Sequence, residues 1–117
     1  MGERKVVAKE LSKLFNALSH PDRVRIVEEL RNKEQDVQGL SELLEISSSR
    51  VSQHLSLLRG LRLVQERREG KHHYYSLVVP EVADWILSGL NFTELGMVES
   101  RTFSKAVKRA LRVWSHD

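Results

Sequence analysis

Two runs of this chain hold side chains suited to meeting an anion: Ser48, Ser49, Arg50, Ser52, Gln53 and His54 in one, and Arg67, Arg68, Lys71, His72 and His73 in the other. Hydroxyls and amides of this reach bond to base edges or phosphates, Arg pairs with guanine in the major groove, and Lys or Arg neutralises backbone charge. Other chemistries are poorly served. Ser49 and His54 have no third orienting group, no strand-turn-helix elbow and no oxyanion loop, so a hydrolase, or any enzyme, is not expected. With no Cys, disulfides, thiolate metal sites and thiol redox switches are excluded. The five histidines, His20, His54, His72, His73 and His116, are scattered along the sequence. Neighbours such as His72 and His73 on a strand point to opposite faces, away from a common ion. Neither metal nor cofactor is expected.

The elements that must position these residues follow from periodicity. Val7, Leu11, Leu14, Phe15 and Leu18 recur at helical spacing and predict a first helix of about four turns. Ser19, Pro21 and Asp22 read as the start of a second, capped by Ser19 and buried through Val24, Val27 and Leu30. Val37, Leu40, Leu43 and Leu44 form a short third helix. Glu45, Ile46 and Ser47 leave room only for a tight turn before Val51, Leu55 and Leu58 define a fourth, so the pair reads as a helix-turn-helix with its second helix at about 47–59. After Gly60 the pattern changes to strand-like runs on either side of Glu69 and Gly70, a hairpin at about 63–77. Pro80 opens a further helix with Val82, Trp85, Ile86, Gly89 and Leu90 on its apolar face, and a last amphipathic helix carries Phe103, Ala106, Val107, Ala110, Leu111 and Trp114.

The chain has 117 residues, 40% of them hydrophobic and 30% charged, with a net charge of +3. That fits one globular domain over 1–117, and the small net charge means that basic residues matter by where they cluster. The charged start and the absence of any run of ~20 apolar residues predict a cytoplasmic protein without a membrane partner. The first helix and the helix after Pro80 carry wider apolar faces than so small a core can bury.

Three segments, LFNALSHPDRVRIVEEL, VSQHLSLLRGLRLV and RREGKHHYYSL, resemble in order and spacing the winged-helix repressors of the ArsR/SmtB type. The resemblance spans roughly residues 11 to 90. It implies a mainly α fold with a β-hairpin, a winged helix-turn-helix whose N- and C-terminal helices form a dimer interface. Leu11, Phe15, Trp85, Leu90 and Trp114 become its anchors. It also implies a homodimeric regulator of double-stranded DNA, acting as a repressor on a palindromic operator, with the Ser-rich helix reading bases and the hairpin lying on the backbone.

The metal-sensing positions of the family depart from its pattern. Asp36 and Gln38 stand where the thiolate site has Cys, and Val79, Glu81, Phe92 and Leu95 stand where the site after the wing has Asp, His, His and Glu. The control step is therefore an unassigned effector, a protein partner, or none. Arg62 replaces the usual Gly after the reading helix, which leaves Gly60 to end it. The rival reading is a winged-helix protein-interaction module without specific DNA binding.

Overall fold

The computed structural model describes residues 2–97 and 108–112. The chain divides into two compact units, Met1–Val78 and Val79–Asp117. The first contains α1 (Gly2–Ala17), α2 (Pro21–Leu30), β1 (Gln35–Asp36), α3 (Val37–Leu44), α4 (Ser48–Gly60), β2 (Val64–Glu69) and β3 (His72–Leu77). The second contains α5 (Val82–Ser88), a 3-10 turn over Gly89–Phe92 and α6 (Glu94–Met97), and residues 108–112 are helical. Trp114 lies outside the described residues.

Helix α2 begins at Pro21, whose fixed φ suits the first helical position and whose missing N–H costs nothing there. The cap is therefore His20, not Ser19: His20 is extended and its Nδ1 accepts the Asp22 amide at 3.1 Å. Ser19 Oγ instead donates to the Asn16 carbonyl at 2.6 Å, closing the end of α1. Asp36 caps α3 by accepting the Gly39 amide at 2.7 Å. The α3–α4 turn needs one left-handed residue, Glu45 (φ 57°), and is tied by Ser41 Oγ donating to the Ile46 carbonyl at 2.6 Å. Ser47 then caps α4 by accepting the Arg50 amide at 3.2 Å. Ser47, which immediately precedes the polar run, is thus a structural cap.

The core of the first unit joins Ile26, Val27 and Leu30 of α2, Leu40 and Leu44 of α3, Val51, Leu55 and Leu58 of α4, and Val64 and Leu77 of the strands. Leu43, one of the apolar residues whose spacing predicts α3, is exposed. The i, i+4, i+7 spacing of the α4 residues turns them all inward, so the intervening Ser and Gln must face solvent. Burying such side chains fixes α4 against α2 and α3; truncating one, as in Leu55→Ala, removes about 2–5 kcal/mol of stability.

Helix α4 ends by a Schellman motif. The Arg62 amide donates to the Arg59 carbonyl at 2.9 Å and the Leu63 amide to the Leu58 carbonyl at 3.0 Å, with Arg62 at φ 61°. Arg62 itself carries the left-handed turn, and Gly60 is an ordinary last helical residue, which reverses the sequence expectation. The sheet has the order β1-β3-β2, all antiparallel. Sequence reasoning missed β1 because two residues show no alternation, and only pairing of Gln35 with Tyr75 and Asp36 with Tyr74 defines it. At the hairpin tip, Gly70 (φ 62°) takes the first turn position and Lys71 the second, as a Gly-X two-residue turn requires. In the second unit, the helix expected from Pro80 through Leu90 starts at Val82 and ends at Ser88, tightening into the 3-10 turn that holds Leu90.

Candidate nucleic-acid interface

Ser48, Ser49, Arg50, Ser52 and Gln53 are all exposed on α4, while Val51, Leu55 and Leu58 are buried beneath them. Ser49, Ser52, Gln53 and Ser56 follow helical spacing along one open face. Arg50 and His54, four residues apart, form a second row that leans toward the start of α2. Arg50 Nη2 stands 3.5 Å from Asp22 Oδ2, with the Arg side chain still 56% exposed.

His54 does not face solvent with its neighbours. Its side chain is only 11% exposed, its Nε2 stands 3.8 Å from Asp22 Oδ2, and its ring lies 4.6 Å from that of His20 at a tilt of 55°. Arg23 approaches its Nδ1 at 3.4 Å while donating to the Ala17 and Asn16 carbonyls at the end of α1. Burial, then the nearby His20 and Arg23, lower the pKa of His54. The sequence leaves His54 open between a DNA contact and a buried structural histidine, and its burial in the α2–α4 joint favours the second. The expected scatter of histidines also fails here: His20 and His54, far apart in sequence, meet around Asp22 with one candidate ligand atom from each within 4.8 Å of the others.

The wing is a hairpin whose two faces each carry their own acids. On one, Arg67 donates from Nε to Glu34 at 3.2 Å, pairs with the same carboxylate through Nη2, reaches Glu69 at 2.7 Å and lies 4.8 Å over the Tyr74 ring. Those carboxylates raise the Arg67 pKa, and Arg67 lowers that of Glu34. On the other face, Glu66 is only 10% exposed and accepts the Tyr75 hydroxyl at 2.9 Å and Arg68 Nε at 3.2 Å, with Arg59 and His73 each at 3.4 Å. The Tyr75 hydroxyl first, then Arg68 and His73, hold the Glu66 carboxyl below the usual range, while burial and Glu66 push the Tyr75 phenol up.

Arg67 and Arg68, expected on the DNA backbone, pair here with the wing's own carboxylates while their side chains stay 49% and 72% exposed. Lys71 and His72 are exposed at the tip, and among the described residues Lys71 forms no ion pair. The residues that sequence reasoning missed are Asp22, Glu34 and Glu66, the carboxylates that hold Arg50, Arg67 and Arg68. A signal for Glu66 was present: in Glu66-Arg67-Arg68-Glu69, period-two alternation puts one acid and one base on each face. Glu34 had none, because its meeting with Arg67 depends on β1.

Comparison with known proteins bears on the same elements. Residues 20–66, from the His20 cap to β2, match the family described as bacterial regulatory protein, arsR family. The chain is 40% identical over 70 residues to a transcriptional repressor SmtB homolog of Synechocystis sp., an alignment covering 60% of this chain and 53% of that protein. It is 36% identical over 72 residues to the transcriptional repressor PagR of Bacillus anthracis, covering 61% of this chain and 72% of PagR. The chain thus spans about half to two-thirds of the first curated relatives it matches. Among solved structures, reduced HlyU from Vibrio cholerae superposes with a TM-score of 0.69 at 31% identity, over 80% of this chain and 99% of that one. NolR from Sinorhizobium fredii gives 0.70 at 32% identity, over 78% and 90%. The shared helix-turn-helix, wing and sequence show that this chain belongs to the arsR family of bacterial regulatory proteins.

Proposed function

We propose that the chain is a sequence-specific DNA-binding transcriptional regulator, a repressor that occupies a palindromic operator as a homodimer. The observation that carries this reading is the open face of α4. Ser49, Ser52 and Gln53 are exposed along a helix anchored from below by Val51, Leu55 and Leu58, the arrangement that presents base-reading side chains to the major groove. Ser48 and Arg50 flank that face, and Lys71 and His72 at the wing tip meet the phosphates. Relatives named as transcriptional repressors support the sign of regulation.

Dimerisation is supported by apolar side chains left at the surface of each unit: Val7, Leu11 and Phe15 on α1, and Trp85 on α5. In so small a chain, such faces mark association surfaces. Leu90, half-buried in the 3-10 turn, belongs to the same proposal. The family's two metal positions hold no ligand set here. Asp36 is occupied as the α3 cap, and Val79, Phe92 and Leu95 cannot ligate. Selection of bound fragments from genomic DNA tests the function: recovery of a common palindromic sequence supports it, and recovery of sequence-unrelated fragments, or none, favours a protein-interaction module.

A further inference from the structure

We propose that His20, Asp22 and His54 form a binding site for a divalent transition-metal ion, of the zinc, cobalt or nickel class, at the joint between α2 and the reading helix α4. Two imidazole nitrogens and a carboxylate oxygen lie within 4.8 Å of one another. Asp22 Oδ2 is 3.9 Å from His20 Nδ1 and 3.8 Å from His54 Nε2. The single lone pair of His20 Nδ1 accepts the Asp22 amide as the α2 cap, so an ion bound at that nitrogen displaces the cap bond, which further weakens the site. Ligands held at ~2.0–2.2 Å around a tetrahedral ion stand roughly 3.3–3.6 Å apart, so side-chain adjustments of up to about 1 Å close the set.

Three features favour an ion there over an incidental cluster. His54 Nε2 is buried and, among the described residues, has no hydrogen-bond partner, an arrangement that folded proteins seldom leave unfilled. The three residues come from a helix cap, a first turn and a packed helix, so the backbone already fixes their positions. The donor set of two nitrogens and one oxygen matches imidazole-binding ions, and it is too poor in oxygen for calcium or magnesium. Three protein ligands leave a fourth position for water.

Charge around the site sets its strength and its consequence. Arg23 faces the far nitrogen of His54, and Arg50 shares Asp22, so the site is weaker than a four-ligand structural zinc site. Arg23 keeps its bonds to the Ala17 and Asn16 carbonyls when it gives up His54. A metal on Asp22 removes the carboxylate that restrains Arg50. If α4 reads DNA as proposed above, the ion frees Arg50 and tightens operator binding.

The test uses the full chain with cobalt(II) alone, read by its visible d–d absorption, and needs no DNA. One ion per chain is expected, displaced by zinc(II). His20→Asn retains a competent helix cap, and Asp22→Asn keeps the side-chain volume. Both variants, shown to be folded by circular dichroism, are expected to lose at least about tenfold in affinity, whereas His72→Ala and His73→Ala lose nothing. No spectral change in the folded wild type at excess cobalt, or unaltered binding in the two joint variants, overturns the site. Cobalt binding that leaves affinity for a selected DNA fragment unchanged overturns the Arg50 coupling while the site stands.

Discussion

Arg50 and Lys71 differ in what holds them, and that difference predicts how they act. Arg50 sits at the edge of the open face of α4, loosely restrained by Asp22, and in the proposed reading it meets a base edge. Lys71 stands at an exposed turn and, among the described residues, forms no ion pair. Arg50→Ala is expected to cost about 1–3 kcal/mol on the operator and to relax preference at one position; Lys71→Ala is expected to weaken all sequences alike and to flatten the salt slope by about one unit. Equal losses on operator and random DNA for both variants would contradict the base-reading role of Arg50. Arg62 offers a separate stability test. A non-glycine residue in the left-handed region costs about 1–2 kcal/mol, so Arg62→Gly is expected to raise the melting temperature, less the added freedom of the unfolded chain. The residue types at the site were legible in the sequence. Their partners were not, because Asp22 to Arg50 and Glu34 to Arg67 are contacts across elements that no local spacing records.

The wing shows the same division at the scale of the element. Its two strands and its Gly turn were readable from alternation and from Glu69-Gly70, as was the helix-turn-helix from the spacing of Leu40, Leu44, Val51, Leu55 and Leu58. Strand β1 was not, being defined only by its pairing with β3. The cap of α2 was assigned one residue early because Ser19 is the better capping type, whereas the position of Pro21 decides the matter. Glu66 makes the wing pH-sensitive. Its carboxyl is held below the ordinary value by the Tyr75 hydroxyl and the bases around it. A carboxyl with a lowered folded pKa contributes stability that is complete above its unfolded value and is lost as pH falls through the folded one. Thermal melts from about pH 7 to pH 3 are therefore expected to show Glu66→Gln less stable than wild type near neutrality, the gap closing as the medium acidifies. A gap that stays constant with pH would show that Glu66 acts by packing alone.

At the scale of the whole molecule, the exposed apolar faces of α1 and α5 are what supports the proposed dimer. Sedimentation at micromolar concentration is expected to give twice the 13.5 kDa chain mass, and Leu11→Asp with Phe15→Asp to give the monomer with weakened operator binding. A clean wild-type monomer that still binds a palindrome tightly would contradict the dimer. The most direct measurement is the affinity of the purified protein for a selected palindromic duplex and for a scrambled duplex of the same composition, each across a salt series. The expected result is preference for the palindrome by a factor of about 10³ or more at physiological salt, with affinity falling linearly on a log–log scale as salt rises. Equal affinity for the two duplexes at every salt concentration, or no binding to either, would contradict the assignment of α4 as a reader of DNA sequence.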